Sequence, residues 1–111
     1  MRLMNLNTAA KRLAELGNAT RLQIFRLLVQ AGREGLSIGE IQRRLGIPAS
    51  TLAFHLRGLV TAGLVEQDRQ GRCVFCRANT AALNDTVAFV KENCCVGFGA
   101  NKRERRKGVA A

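Results

Sequence analysis

The sequence predicts a mainly α-helical domain that carries a single β-hairpin, in the element order α-α-α-α-β-β-α. Apolar residues recur at helical spacing in four stretches before residue 63 and in one stretch after residue 79. Between these stretches, two short strand-like runs flank a polar turn that contains glycine, which is typical of a hairpin. A chain of 111 residues is long enough for one such domain with one core.

The charge balance indicates an anionic partner. Lysine and arginine number 18 against 8 aspartate and glutamate residues, so the formal net charge is +10. Such a surplus favours nucleic acid as the partner. Proteins that bind single strands usually stack bases on aromatic side chains, whereas this sequence has five phenylalanines and neither tyrosine nor tryptophan. The composition therefore favours duplex DNA over single strands.

The compartment is predicted from what the sequence lacks. No run approaches the roughly 20 apolar residues of a membrane-spanning helix, and the N-terminal stretch lacks the continuous apolar core of a secretory signal. The four cysteines, at positions 73, 76, 94 and 95, do not resemble the disulfide framework of a secreted domain. We therefore expect a cytoplasmic protein whose thiols bind or react.

Two helices are predicted ahead of the central stretch. Residues 7–16 form the first, with three apolar side chains on one face: Ala9, Leu13 and Leu16. Residues 19–31 form the second, and Asn18 is a typical N-cap residue before them. Its predicted buried side chains are Leu22, Phe25, Leu28 and Val29, with Arg21 facing outward. A loop is expected at residues 32–35.

The central stretch, residues 37–63, predicts two short helices joined by a tight turn. Ser37 and Glu40 have the spacing of a capping box, which marks the start of the first helix. Gly46 is suited to the left-handed conformation that ends a helix. Pro48 fits the start of the next helix. Helix, glycine turn and helix together predict a helix-turn-helix.

The second of these helices has the residues of a DNA-recognition helix. Its apolar stripe consists of Leu52, Leu56, Leu59 and Val60. The other face is small and hydrogen-bonding near its start and basic further along, with Ser50, Thr51, Ala53, His55 and Arg57. A helix whose N-terminal end meets base edges in a major groove needs such residues. The alternative is an ordinary pair of core helices.

A hairpin and a last helix complete the predicted domain. Residues 64–68 and 73–78 form the strands, and the turn between them carries Arg69 and Arg72, which we expect to contact phosphates. Residues 81–93 form an unusually apolar helix, with Leu83, Val87 and Val90 on one face. We expect this helix to pack against the first helix of a second subunit. The domain is assigned to residues 1–96, and residues 97–111 are predicted to be a basic, flexible tail.

The order of these elements and several short motifs resemble the ArsR/SmtB family of bacterial metalloregulatory repressors. The motifs are GNATRL at 17–22, STLAFHL at 50–56, AGLV at 62–65 and GR at 71–72. The resemblance implies a winged helix-turn-helix homodimer that binds operator DNA and releases it when a metal or metalloid binds. It also implies a regulator rather than an enzyme, in agreement with the absence of a base next to any cysteine and of a phosphate-binding glycine loop.

The inducer is predicted from the cysteines. The family's Cys-x-Cys motif is absent from residues 38–45, and its zinc site of Asp and His on the last helix is missing. Cys94 and Cys95 instead resemble the C-terminal vicinal cysteine pair of an arsenic-responsive branch. Thiolates are soft ligands, and trivalent arsenic binds two or three of them. Small core residues are the alternative reading of such a pair.

The third ligand and the ligand's identity stay open. Cys73 is a candidate third thiolate, whereas Cys76, on the opposite face of the same strand, is expected in the core. His55 is assigned to structure or DNA contact rather than to a metal. Arsenite and methylarsenite are nearly equal candidates for the inducer, with antimonite as a further one. A redox or persulfide sensor on the same fold is the alternative function.

Overall fold

A computed structural model describes residues 4–99 of the chain, and this part contains five α-helices and a three-stranded antiparallel sheet. The elements are α1 (Leu6–Leu16), α2 (Ala19–Ala31), β1 (Leu36–Ser37), α3 (Ile38–Leu45), α4 (Ala49–Thr61), β2 (Val65–Gln70), β3 (Cys73–Ala78) and α5 (Thr80–Lys91). The fold is a winged helix-turn-helix, as predicted, with α3 and α4 as the helix-turn-helix and β2–β3 as the wing. The predicted tail lies outside the described residues from position 100 onward.

The helix starts follow the capping signals in the sequence. The Ser37 amide donates to Glu40 Oε1 at 2.9 Å, and the Glu40 amide donates to Ser37 Oγ at 3.1 Å, so the predicted capping box is confirmed. The bond from the Ser37 amide is the main reason why the pKa of Glu40 lies below its ordinary value. The side chains of Asn18 and Asn79 cap α2 and α5 by accepting hydrogen bonds from backbone amides of the first turn. Gly46 ends α3 in the left-handed conformation at φ 65°.

The core lies between α2, the helix-turn-helix and the sheet. Its fully buried side chains include Ile24 and Leu28 of α2, Ile41 of α3, and Leu52 and Leu59 of α4. The predicted apolar stripe of α4 is therefore confirmed at Leu52, Leu56 and Leu59, whereas Val60 is 37% exposed. The buried face of α2 differs from the predicted one. Leu22 and Val29 were predicted to be buried but are 41% and 43% exposed, whereas Ile24 is fully buried.

The sheet contains one strand that the sequence analysis missed. Residues 36–37 pair with β3, so the element order is α-α-β-α-α-β-β-α. The preceding Gly35 has φ 69°, and a Cβ atom there would collide with the carbonyl oxygen of Cys76. Glycine therefore lets the chain pass close against β3. The predicted loop at 32–35 is a 3-10 turn over Gly32–Glu34 followed by this glycine.

The wing is tighter than predicted. Gln70 pairs with Cys73, which leaves a two-residue turn of Gly71 and Arg72, and Gly71 has φ 64°. A glycine with positive φ at the first turn position is typical of tight hairpins. Arg69 consequently lies within β2 and not in the turn, which was predicted to begin there.

α1 and α5 pack against each other around a buried arginine. Arg12 is only 3% exposed, and its Nε donates to the carbonyl of Ala62 at 2.9 Å. Its Nη1 donates to the carbonyl of Ala82 at 3.3 Å and lies 3.4 Å from Thr86 Oγ1. Leu13, predicted on the buried face of α1, is 46% exposed instead. Arg12 thus joins α1 to the end of α4 and to the first turns of α5.

α5 ends at Lys91, two residues earlier than predicted, and residues 92–95 form turns. Among residues 4–99, no helix has the length and apolarity that crossing a lipid bilayer requires.

Candidate DNA interface and thiol pair

The outward face of α4 presents small, aromatic and basic side chains. The exposed residues in its first three turns are Ala49, Ser50, Thr51, Ala53, Phe54 and Arg57. Four of the five predicted DNA-contacting residues of this helix therefore lie on its exposed face. Their contact with DNA remains a prediction.

His55 was placed on the wrong face by the sequence analysis. It is only 9% exposed, because it lies three residues after Leu52 and four before Leu59, on the side of α4 that faces the core. Its Nδ1 accepts a hydrogen bond from Arg21 Nε at 3.1 Å. His55 therefore lies on the core side of α4 and contacts α2 through Arg21, which agrees with the structural role that the sequence analysis gave as an alternative to DNA contact.

Arg21 connects α1, α2 and α4 through three contacts. Besides His55, its guanidinium pairs with Glu15 Oε1 at 3.1 Å and lies 5.4 Å from the centroid of the Phe54 ring. Gly58 leaves the space that the Glu15 carboxylate occupies. The side chain of Arg21 is only 18% exposed, although the sequence analysis placed it on the outward face of α2.

Phe54 is the residue of this face that the sequence analysis missed. Its side chain is 58% exposed although it is the largest apolar side chain on the outward side of α4. Its spacing of four residues from Ser50 and three from Arg57 was the available signal, because residues at that spacing share one helix face.

The wing extends the basic surface beyond α4. Arg69, Gly71 and Arg72 are all exposed; Arg72 lies in the turn as predicted, and Arg69 lies near the end of β2 next to it. Asp68 and Arg77 form a long exposed pair at 3.9 Å further down the hairpin, which leaves the tip arginines outside this pair. Exposed guanidinium groups in such a position can contact phosphates.

Cys94 and Cys95 lie in the turns after α5 with their sulfur atoms together. Both residues are exposed, and the two Sγ atoms are 3.0 Å apart. Asn93 and Cys95 have positive φ angles of 64° and 68°, which are uncommon for residues other than glycine. The hydrogen bond with Cys95 raises the pKa of the Cys94 thiol. The pair is therefore accessible and its sulfurs are directed toward each other, unlike small core residues.

The remaining cysteines do not join this pair. Cys76 is fully buried and Cys73 is exposed, as predicted, and burial raises the pKa of the Cys76 thiol. Within residues 4–99, no group of three histidine, cysteine or acidic side chains is placed to hold a metal ion. Cys73 belongs to no such group in the single chain, and its role as a third ligand stays a prediction.

The helix-turn-helix and the basic wing together define the winged helix-turn-helix class of DNA-binding proteins. A family model described as a helix-turn-helix domain matches residues 16–68. The HTH-type transcriptional regulator YgaV from Escherichia coli K12 is 30% identical over 87 residues, which are 78% of this chain and 86% of YgaV. An ArsR-like transcriptional regulator from Rhodococcus sp. RHA1 has 30% identity and a TM-score of 0.71, with 93% of this chain and 90% of that chain covered.

A more distant structure shares the fold alone. The homodimeric winged helix-turn-helix domain Mb0332 from Mycobacterium bovis has 24% identity and a TM-score of 0.64, with 84% of this chain and 94% of that chain covered. From the closer similarities, the chain belongs to the ArsR-like family of helix-turn-helix transcriptional regulators. The two closer relatives described above are transcriptional regulators.

Proposed function

We propose that the protein is a homodimeric repressor that releases operator DNA when Cys94 and Cys95 capture a trivalent arsenic compound. The observation that supports this proposal is the exposed pair of sulfur atoms, 3.0 Å apart, directly after α5. Two thiolates from adjacent residues can bind one soft acceptor without any large rearrangement of the chain.

The proposed dimer interface is formed by α1 and α5. Apolar side chains of both helices remain exposed in the single chain: Leu6 at 72%, Leu13 at 46%, Val87 at 45% and Val90 at 60%. Exposed apolar side chains on two helices that pack against each other are typical of a protein interface. The Mb0332 domain, which shares the fold, is homodimeric. A second copy of this chain is the occupant that these side chains would contact.

A dimer would present two copies of α4 to one face of a duplex. Recognition helices of two-fold symmetric dimers enter successive major grooves about one helical turn apart. In that position Ser50, Thr51 and Ala53 meet base edges. Arg57 and the wing arginines Arg69 and Arg72 contact phosphates, and such contacts orient the protein without reading sequence. An inverted repeat is therefore the expected operator.

The number of thiolates favours a methylated arsenical. Trivalent arsenic forms three bonds in a pyramidal arrangement, and methylarsenite already uses one of them for carbon. Cys94 and Cys95 would complete its coordination, whereas arsenite or antimonite would need a third ligand from another subunit or from solvent. Each thiol would give its proton to a departing hydroxyl group of the methylarsenite, so that two As–S bonds replace two As–O bonds and two water molecules leave.

Arg12 provides a physical route from the thiol pair to the DNA-binding helix. Its guanidinium contacts the carbonyl of Ala62, directly after α4, and the carbonyl of Ala82 in α5. A ligand that displaces α5 would change the position of α4 through this buried contact. Release of DNA requires that the ligand bind the displaced arrangement more tightly than the DNA-bound one.

A redox or persulfide sensor is the second candidate, and it is supported by the same sulfur separation. A direct disulfide between neighbouring residues is strained, because their Cα atoms are about 3.8 Å apart whereas disulfides usually join Cα atoms at least about 4.4 Å apart. Two sulfur atoms from a sulfane-sulfur donor would avoid this strain: one would join the thiols as a trisulfide, and the other would accept the two electrons and two protons and leave as hydrogen sulfide. Peroxide would then be a poorer inducer than a sulfane-sulfur donor.

The test measures DNA release by fluorescence anisotropy with a labelled operator duplex. We expect methylarsenite to weaken DNA binding by the wild type roughly 5- to 150-fold, the usual range of allosteric coupling. The variants Cys94→Ser and Cys95→Ser should no longer respond. Cys73→Ser, which changes another exposed thiol, should respond as the wild type does. A full response by both vicinal variants refutes the site. A response only to sulfane sulfur supports the second candidate.

A further inference from the structure

The exposed phenylalanine of α4 has no role in the proposed release mechanism, yet it lies in the middle of the DNA-facing surface. Phe54 is 58% exposed and lies between Ser50, one turn before it, and Arg57, one turn after it. A benzyl group cannot bind phosphate or donate a hydrogen bond to a base. Its chemistry requires an apolar contact.

The major groove of B-DNA offers few such contacts. Guanine, cytosine and adenine present hydrogen-bond donors and acceptors there, whereas thymine adds its 5-methyl group. We propose that Phe54 is a specificity-determining residue that recognises a thymine through this methyl group. The inference rests on the proposed placement of α4 in the major groove.

Neighbouring residues hold the Phe54 ring in place before DNA arrives. The Arg21 guanidinium lies 5.4 Å from the ring centroid, and Arg21 is fixed in turn by Glu15 at 3.1 Å and by His55 at 3.1 Å. The His55 ring packs edge-on against Phe54, with centroids 5.3 Å apart. An exposed aromatic ring that is already ordered loses little conformational freedom on binding. Because this network orders the ring, binding of DNA by Phe54 costs less conformational entropy than binding by a mobile surface side chain would.

The experiment removes the methyl group from DNA and the ring from the protein. Duplexes are first selected from a random-sequence pool with the wild-type protein, and each thymine of the selected site is then replaced by deoxyuridine. We expect one sensitive thymine in each half-site, with binding weakened about fourfold per replacement, which corresponds to about 0.8 kcal/mol for one buried methyl group. Replacement in both half-sites should weaken binding about fifteenfold, because separate positions contribute nearly additively.

Two protein variants complete the design. Phe54→Ala should bind both duplexes more weakly than the wild type and should bind the thymine and deoxyuridine duplexes equally. Phe98→Ala changes another exposed phenylalanine, outside the helix-turn-helix, and should keep the wild-type ratio.

Two results would overturn the inference while leaving DNA binding intact: equal wild-type affinity for thymine and deoxyuridine at every position, or a wild-type ratio retained by Phe54→Ala. If no duplex is enriched from the pool, the DNA-binding proposal fails and the thymine contact fails with it.

Discussion

Replacing Arg12 with methionine should destabilise the fold, because this side chain is a buried cation whose partners are mainly backbone carbonyls. The ion pairs found within residues 4–99 join Arg21 to Glu15 and Arg77 to Asp68. The guanidinium of Arg12 donates to the backbone carbonyls of Ala62 and Ala82 instead of to a carboxylate. Methionine retains the apolar stem but removes every donor. Ala82 would keep the bond that it accepts from Thr86 Oγ1 at 2.8 Å, whereas the Ala62 carbonyl would lose its side-chain donor.

The magnitude follows from these contacts. A hydrogen bond that involves a charged group contributes about 1.5–3 kcal/mol, and an unsatisfied buried acceptor costs about 1–3 kcal/mol. We therefore expect Arg12→Met to lower the free energy of unfolding by about 2–4 kcal/mol, a large part of the roughly 5–15 kcal/mol of a typical domain. Arg12→Lys should lose less, because an ammonium group can still reach one carbonyl but lacks the planar fork.

Urea unfolding monitored by circular dichroism measures this effect. Protein concentration must be held constant, since the stability of a dimer depends on it. Arg26→Met, which changes an exposed arginine of α2, is the matched control and should stay within about 0.5 kcal/mol of the wild type. If Arg12→Met is as stable as this control, the buried contacts of Arg12 do not hold α1, α4 and α5 together.

Three further predictions concern the interface, the wing and the buried thiol. Val90→Asp should convert the dimer into monomers in sedimentation experiments and weaken DNA binding, and a dimer of unchanged affinity would argue against the α1–α5 interface. Replacing Arg69 and Arg72 by glutamine should reduce the slope of log affinity against log salt concentration by about 0.9 per phosphate contact, or about 3.6 per dimer; an unchanged slope would exclude these contacts. Because burial raises the pKa of Cys76, this thiol should resist alkylation at pH 8 in the folded protein and react on unfolding, as mass spectrometry would show. Rapid labelling of native Cys76 would contradict its place in the core.

Local signals predicted the helix-turn-helix well. The Ser37–Glu40 capping box, the left-handed Gly46 and the apolar spacing of α3 and α4 act within a few residues of each other, so the sequence alone contains them. The hairpin and the exposure of Cys73 against the burial of Cys76 follow from the alternation of side chains along a strand. The sequence identified Cys94 and Cys95 as a pair, whereas the distance between their sulfur atoms could be read only from the structure.

Features that depend on distant partners were not predictable in this way. Strand β1 has two residues and exists because β3, about 40 positions later, offers a free edge. Arg12 is buried because carbonyls after α4 and in α5 accept its protons, which no helical pattern reveals. Phe54 and His55 are adjacent residues that point about 100° apart around α4, and a short apolar stripe does not determine which of the two lies on the outer face.

The reciprocity of the two binding events tests the central claim most directly. If capture of methylarsenite by Cys94 and Cys95 drives release of DNA, the affinity of the dimer for methylarsenite must fall in the presence of operator duplex. Linkage requires that this factor equal the factor by which methylarsenite weakens DNA binding. We expect titration with methylarsenite, with and without operator DNA, to give the same factor as titration with operator DNA, with and without methylarsenite. An affinity for methylarsenite that operator DNA leaves unchanged would contradict the account.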